Sequence, residues 1–470
     1  MIVTTTDLRT PRRVVRLTSP MLVCMVLMST MWMADNNDHT LVDPPSGATD
    51  AGAYFADVPL AWFELQMELI ERTPGFSPPV ASRALGYSSV ALYEAVVPGM
   101  NGYRSLAGQL NGLASVPDIK TGSAYHWPAV ANSVLARITR KLYANTSPEF
   151  TARIDGLEAF FSATYKGKIA EDIIDRSTAH GRAIADAIFE WSKSDGGHEG
   201  YSKNFPAYTP PAGPGMWVPT PRSGGTPQSA LQPYWGKNRP FVLPVGQPSR
   251  DCDPGPPPAY STDPTSDFYR EGFEVYTTVK RLSTEQRAIA LFWADDAGKT
   301  CTPPGHSFSI LSQCIRMKKS SLEFAAEAYA KLGIALADAF ISCWDVKYRY
   351  NLIRPITYIQ AVIDPKWNTP IITDPLDTPP FPEYPSGHSV QSGAATRVLT
   401  SLYGVGFAFI DHTHHPAGQP ARSFTSFDAF ANEAAISRLY GGIHFRSAIE
   451  RGVRQGKRIG EAVLKLKFKA

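Results

Sequence analysis

Three short stretches in the last third of the chain combine cationic, hydroxyl and imidazole side chains. They are Lys347-x6-Arg354-Pro355, Pro385-Ser386-Gly387-His388 and Ser437-Arg438-x5-His444. A guanidinium offers a planar fork of donors to an oxyanion, and a lysine adds a compact charge. One imidazole can transfer protons while the other bonds to the central atom. The three stretches together predict one site for a tetrahedral oxyanion.

The middle stretch predicts the start of a helix beside that anion. Ser386 can cap the helix, and the Gly387 amide can then point at the anion near the helix N-terminus. His388 falls in the first turn, where it is suited to proton transfer. Taken alone, the stretches are equally explained by solvated charges, an ordinary N-cap and a structural histidine.

The elements that must position these residues are mostly helical. Apolar residues at three- and four-residue spacing predict helices over 59–72, 80–97, 128–142, 148–165, 170–193, 284–297, 320–344, 386–403, 426–440 and 443–467. Lys347 is expected at or just past the end of one helix, and Pro355 disfavours a helical conformation at Arg354. The predicted fold class is all-α, a helical bundle or two four-helix bundles with long proline-rich loops.

Residues 195–264 are rich in proline and glycine and separate the two helical parts. Such a segment is either an interdomain linker or a loop wrapped on the body. Its aromatic residues favour the wrapped loop; they are Trp217, Tyr234, Trp235 and Phe241. A substrate-access loop and a subunit contact are both compatible roles.

The N-terminal residues 1–34 have the pattern of a targeting segment. Four arginines precede an apolar run over 21–34, which is too short to span a bilayer comfortably. We expect a secretory signal and an exported protein, periplasmic or extracellular, with one helical domain over 35–470. A non-cleaved anchor is the alternative.

Cysteine content and net charge bear on disulfide bonding and on the kind of binding partner. Cys252, Cys301, Cys314 and Cys343 follow the signal-like segment, and permit two disulfides or free buried thiols. The first candidate for a local bridge is Cys301 with Cys314. A dispersed net charge of +3 gives no indication of a nucleic-acid partner.

The three stretches resemble the signature shared by vanadium-dependent haloperoxidases and type 2 phosphatidic acid phosphatase-like acid phosphatases. The resemblance implies a helical bundle with the site in its core, within residues 344–444. It implies that the oxyanion is bound by Lys347, Arg354, Ser386, Gly387 and Arg438. His388 is then the general acid/base, and His444 is either the ligand to vanadium or the phosphatase nucleophile.

Residues outside the cage favour the haloperoxidases. Trp344 and Phe381 match aromatic positions that line the halide pocket of chloroperoxidase-type members. The run Trp293-Ala294-Asp295-Asp296 resembles a segment whose aspartate supports the site, with Asp296 the first candidate and Asp295 the second. Ala448 departs from the family, which has an aspartate there, so another group must fix the tautomer of His444.

The predicted function is therefore a vanadate-dependent haloperoxidase that oxidises halide with hydrogen peroxide to hypohalous acid, which reacts with a small organic acceptor. Lys347 is expected to polarise the activated oxygen. One alternative is an exported acid phosphatase that forms a phospho-histidine at His444, with His388 protonating the leaving alcohol. Another is a non-catalytic oxyanion-binding module. The halide, the acceptor and a homo-oligomeric state stay open.

Overall fold

The computed structural model describes residues 50–220, 229–369 and 378–470. In these ranges the chain forms thirteen α-helices and one antiparallel two-stranded sheet, which confirms the all-α prediction. The helices are α1 (Asp57–Arg72), α2 (Pro78–Val96), α3 (Trp127–Leu142), α4 (Pro148–Tyr165), α5 (Glu171–Lys193), α6 (Asp267–Lys280), α7 (Thr284–Phe292), α8 (Thr302–Met317), α9 (Leu322–Tyr350), α10 (Pro355–Val362), α11 (Gly387–Tyr403), α12 (Phe427–Tyr440) and α13 (Arg446–Val463). The strands are β1 (Phe409–Asp411) and β2 (Arg422–Phe424), with Ile410 opposite Ser423.

The 29-residue helix α9 is the central element of the described part of the chain. It packs along α2 on one side and along α11 on another, and α2 leads on to the group formed by α1, α3, α4 and α5. Helices α11, α12 and α13 form the second group. One continuous hydrophobic core runs through both groups, so α9 joins them. The domain boundary at residue 35 lies outside the described residues and stays a prediction.

Helices α11 and α13 approach closely because glycines line their contact. A Cβ at Gly456 would lie 1.9 Å from the Val390 carbonyl oxygen, and one at Gly393 would lie 2.4 Å from that of Val453. Backbone therefore meets backbone at these points, where any side chain would force the helices apart. The start of α11 is in this way held against the start of α13.

The ends of three helices place the candidate site residues. Helix α9 continues to Tyr350 and ends where Asn351 takes a left-handed conformation with φ 46°. The expectation that Lys347 lies at or past the helix end was therefore wrong, because the charged residues after 344 obscured a pattern that still buries Lys347. Arg354 occupies the N-cap of α10, with Pro355 as its first residue. Ser386 caps α11 as predicted, its Oγ accepting from the Ser389 N–H at 3.3 Å.

Other boundaries differ from the prediction. The helix expected over 284–297 ends at Phe292, and the one expected from 443 begins at Arg446. Helices α6, α8 and α10 were not predicted; two of them begin with prolines in their first turn, which a helix tolerates because the first N–H groups lack partners anyway.

The proline-rich segment is wrapped on the body where it is described, as its aromatic residues predicted. Trp217, Trp235 and Phe241 are buried, whereas Tyr234 is 45% exposed. The buried Asp338 of α9 fastens the segment, since its carboxylate accepts the backbone N–H groups of Phe241, Val242 and Leu243. Burial raises the pKa of Asp338 to about 6, and the three N–H donors oppose the rise.

All four cysteines after the N-terminal segment are free and buried, which is the second of the two alternatives left open by the sequence, and the candidate bridge Cys301–Cys314 is not formed. Cys301 caps α8 and Cys314 lies near its other end. About 13 residues of helix separate them by roughly 20 Å, far beyond the reach of a disulfide. Among the described residues, no helix is both long and apolar enough to cross a membrane.

Candidate oxyanion site

The structure brings the three sequence stretches to one buried place. Lys347 comes from the last turn of α9, Arg354 from the start of α10 and Arg438 from the last turn of α12. His388 lies in the first turn of α11, and His444 lies in the turn between α12 and α13. Burial lowers the pKa of His444 well below the usual value, and the three cations and His388, which all face it, act in the same direction. His444 is therefore a neutral imidazole.

The tautomer of His444 is fixed by Glu383. The two are 2.8 Å apart, from His444 Nδ1 to Glu383 Oε1, and the same oxygen accepts the Phe445 N–H at 2.9 Å. Nδ1 is thus the protonated nitrogen and Nε2 carries the lone pair, which accepts from Arg354 Nη1 at 3.3 Å and can bond to a central atom if that contact is exchanged. Burial raises the pKa of Glu383 to about 8, against the lowering effect of Arg354 and Lys347.

Glu383 replaces the aspartate that the family pattern has four residues after His444. Ala448 occupies that position, is fully buried, and its carbonyl accepts the Ser386 N–H at 3.1 Å. The later carboxylate, Glu450, instead pairs with Arg446 at 3.6 Å on the surface. Glu383 was missed because it lies 61 residues before His444; its only sequence signal was an acidic residue just ahead of the Pro385-Ser386-Gly387-His388 stretch.

Lys347 is fully bonded to the loop that carries Glu383. Its Nζ donates to the carbonyls of Pro382, Glu383 and Pro385 at 3.0, 2.9 and 2.5 Å. An ammonium has three donors, so all of them are satisfied by backbone. Burial lowers the pKa of Lys347 to about 7. Its predicted bond to the oxyanion stays a prediction and requires the exchange of one of these contacts.

Two guanidinium groups carry donors that the described residues do not satisfy. Arg354 donates Nε to Phe381 and Nη1 to Ile443, both carbonyls, while Nη1 also lies 3.3 Å from His444 Nε2. Its Nη2 is buried and has no partner among the described residues, and the same holds for Arg438 Nε. Unsatisfied buried donors are rare. Together with His444 Nε2, whose present neighbour is Arg354 Nη1, they fit the charge and bonding needs of a vanadate.

His388 is a second neutral imidazole. Burial and the Arg438 guanidinium lower its pKa well below the usual value, and Asp295 and the Trp293 backbone act in the opposite direction. Its Nε2 has no hydrogen-bond partner among the described residues. The side chain keeps 14% exposure, which suits a group that exchanges protons with a bound molecule.

The carboxylate nearest His388 belongs to Asp295, the second candidate, and not to Asp296. Asp295 Oδ2 lies 3.9 Å from His388 Nε2 and is buried, with a backbone φ of 49°. Asp296 is partly exposed and lies near Lys299 and Arg438, while burial raises its pKa. The turn after α7 points Asp295 inward, whereas Asp296 faces Arg438, so the supporting role expected of Asp296 stays a prediction.

The predicted halide-pocket residues pack on the cations. The rings of Trp344 and Phe381 are 5.0 Å apart, and the Phe381 ring lies 5.0 Å from Lys347 Nζ and 4.9 Å from Arg354 Cζ. Aromatic faces attract such cations. A Cβ added at Gly387 would lie 3.7 Å from Trp344, an ordinary contact. Anion binding by Gly387 and Ser386 stays a prediction, as does halide binding by the aromatic pair.

Fold and site together define an all-helical protein with a buried cationic cage and two neutral histidines. Residues 327–469 match the family model described as VCPO second helical-bundle domain. The structure of a bacterial vanadium-dependent iodoperoxidase is 40% identical with a TM-score of 0.78, covering 87% of this chain and 96% of that chain. The chain therefore belongs to the vanadium-dependent haloperoxidases.

Two further relatives are more distant. The vanadium chloroperoxidase of Curvularia inaequalis is 28% identical over 152 residues, and the alignment spans only 25% of that protein's length. A bacterial vanadium-dependent chloroperoxidase in apo form is 16% identical with a TM-score of 0.62, covering 84% of this chain and 94% of that chain. The latter likeness shows the fold alone.

Proposed function

We propose that this protein is a vanadate-dependent haloperoxidase that uses hydrogen peroxide to oxidise halide to hypohalous acid. The observation that carries the proposal is the state of His444. It is buried and neutral, Glu383 holds its Nδ1–H, and its Nε2 lies 3.3 Å from Arg354 Nη1. Arg354 Nη2 and Arg438 Nε have no partner among the described residues. Such a nitrogen is a ligand for an electron-poor central atom, and the cations balance the charge of the oxygens around it.

Vanadate, when bound, supplies a Lewis-acidic centre that activates hydrogen peroxide towards halide. The side chains of the protein bind the negative charge and transfer the protons, and they are held in position without a ligand. Arg354 and Arg438 are anchored on the carbonyls of Ile443 and Trp293 and hold negative charge with their remaining donors. His388, neutral and with an available Nε2, accepts a proton there and returns it.

The similarity supports iodide as the first halide to test. The 40% identical relative is an iodoperoxidase, and iodide is the most easily oxidised of iodide, bromide and chloride. The aromatic pair Trp344 and Phe381 matches the chloroperoxidase type instead, so chloride is the alternative.

An assay pair tests the proposal. The purified protein is stripped of vanadate with chelator, reloaded, and given peroxide with iodide, bromide or chloride in turn; aryl phosphate hydrolysis is measured without vanadate. We expect vanadate-dependent halide oxidation that is lost in His444→Ala. Exposed His412→Ala is the matched control and should retain activity. Phosphate hydrolysis without halide oxidation would favour the phosphatase, and no activity in either assay would favour an oxyanion-binding module.

We further propose that the protein is exported. The basic and apolar pattern of residues 1–34 supports this. The full chain, expressed in a bacterial host, should be recovered outside the cytoplasm with a new N-terminus near residue 35. Recovery of the intact chain in the cytoplasm would contradict the proposal.

A further inference from the structure

A second buried cluster of ionisable side chains lies behind His388 and centres on His306 of α8. Its Nδ1 lies 3.0 and 3.1 Å from the two carboxylate oxygens of Asp295, and its Nε2 lies 2.7 Å from Asp411 Oδ2. His414 Nε2 contacts Asp295 Oδ1 at 3.1 Å. All four residues are buried, and His306 is 1% exposed.

The geometry fits a doubly protonated imidazole. Each ring nitrogen of His306 faces a carboxylate, and an imidazolium is the form that donates from both nitrogens. The ring of Trp293 stacks on it with centroids 4.4 Å apart and planes 17° from parallel, which favours a cation. Burial lowers the pKa of His306, but the two carboxylates outweigh burial and raise it above the usual value.

Asp411 is itself held in one orientation. Its Oδ1 accepts the Thr413 N–H at 2.9 Å and the Thr413 hydroxyl at 2.6 Å. Oδ2 is thereby the oxygen that faces His306, and β1 carries it there through its pairing with β2. The acceptor for Nε2 is thus fixed by contacts that do not involve the oxyanion site.

His306 contacts the segment 293–295, and this segment lies next to the oxyanion site. The Trp293 carbonyl accepts from Arg438 Nη1 at 2.7 Å, and the Trp293 backbone faces His388, whose pKa it raises. Asp295 Oδ2 is the carboxylate oxygen 3.9 Å from His388 Nε2. His306 therefore contacts Trp293 and Asp295, and these two residues in turn face His388 and Arg438.

We propose that His306 and Asp411 are positioning residues: an imidazolium held between Asp411 and Asp295 fixes the segment 293–295 against His388 and Arg438. The effect on turnover rests on the proposed function, whereas the protonation state of His306 does not. Asp295, His306 and His414 also have the arrangement of a possible divalent-cation site, since their ligand atoms all lie within 4.8 Å of one another. That alternative is an outcome of the test below.

The first measurement uses the wild-type protein. Nitrogen-15 NMR of labelled histidine reports the protonation of each ring nitrogen, and the His306 signals are assigned by their loss in His306→Gln. We expect both nitrogens to stay protonated from about pH 6 to about pH 9, a range in which an ordinary histidine of pKa ~6.5 loses one proton. An unprotonated ring nitrogen on His306 in this range would overturn the proposal.

The second measurement uses Asp411→Asn. Thr413 still donates to the amide oxygen, so the amide NH2 faces His306 Nε2, which must then accept and lose its proton. We expect kcat to fall about 100-fold at alkaline pH, as for a misplaced catalytic group, while KM for halide changes little. Activity should recover as the pH is lowered, when His306 Nε2 regains its proton and the substituted amide turns its oxygen towards it.

Other ionisable groups around His388 and His306 also influence the pH profile. Asp295 and Arg438 face His388, and Asp295, Asp411 and His414 face His306. Asp338→Asn is the matched control, since Asp338 is equally buried but accepts only from the 241–243 backbone. It should keep the wild-type pH profile even if it lowers stability.

Two other results would overturn the proposal. One is a wild-type pH profile in Asp411→Asn. The other is one equivalent of a divalent metal in the purified protein, measured by elemental analysis and lost in His306→Gln. If no haloperoxidase activity is found at all, the proposed function fails, and the NMR measurement still decides the state of His306.

Discussion

The contact between Glu383 and His444 leads to a specific expectation for Glu383→Ala. Two N–H groups converge on Glu383 Oε1, from His444 Nδ1 at 2.8 Å and from Phe445 at 2.9 Å. The substitution leaves both unpaired where Glu383 is fully buried and His444 is 3% exposed. Each unsatisfied group costs about 1–3 kcal/mol, so the free energy of unfolding should fall by about 2–6 kcal/mol.

The same substitution should weaken vanadate binding. A ligand histidine that loses its outer partner typically loses about 10- to 100-fold in affinity, or about 1.4–2.7 kcal/mol. Glu383→Gln keeps an acceptor for both N–H groups and should restore most of the loss. Binding is measured by equilibrium dialysis with elemental analysis of vanadium, which does not depend on turnover, and stability by urea unfolding.

The matched control is Glu450→Ala. Glu450 has a side chain 54% exposed and pairs only with Arg446 at 3.6 Å, so its loss should change stability by less than about 1 kcal/mol. Wild-type vanadate affinity in Glu383→Ala would refute the assignment of Glu383 as the group that orients His444. Equal losses in the two alanine variants would refute it as well.

Three further perturbations probe separate parts of the site. Lys347→Met removes a charged donor from three carbonyls and should cost at least about 1.5 kcal/mol in urea unfolding. Lys457→Met, at a partly exposed lysine paired with Asp428, should not. His388 has a lowered pKa in the folded state, so the unfolded state binds its proton first and stability is lost as the pH falls below ~6.5. His388→Gln should reduce this loss by up to about 1.4 kcal/mol per pH unit below that point. An unchanged slope would mean that His388 is already protonated in the folded protein. Phe381→Ala should raise KM for halide by more than it weakens vanadate binding, measured by iodide kinetics and dialysis; the reverse would place Phe381 with the oxyanion cage instead.

Local sequence patterns predicted ten of the thirteen helices in the described residues, and they picked out the three stretches that the structure brings together. Ser386 and Pro355 are signals that act on the next few residues, and both mark helix starts in the structure. The charged end of α9 was misplaced because a buried lysine cannot be told from a solvated one by pattern alone. What buries Lys347 is the loop over 382–385, whose path depends on tertiary packing.

The supporting carboxylates could not be found in the same way. Glu383 reaches His444 across 61 residues, and Asp411 reaches His306 across 105. The spacing of these residues in the sequence does not predict their contacts, because the contacts depend on how α8, α11 and the sheet pack together. The different surroundings of Asp295 and Asp296 have a smaller cause, since one positive φ decides which carboxylate turns inward.

The three hydrogen bonds of Lys347 have a consequence for how the protein unfolds. They tie the last turn of α9 to the loop of Glu383, and Glu383 in turn holds His444. Helix α9 is also the element on which both helical groups pack. We therefore expect the site to unfold together with the helical core and not by a separate local unfolding. Vanadate binding should be lost in the same cooperative transition. A haloperoxidase built in this way would lose its cofactor when it unfolds and seldom before.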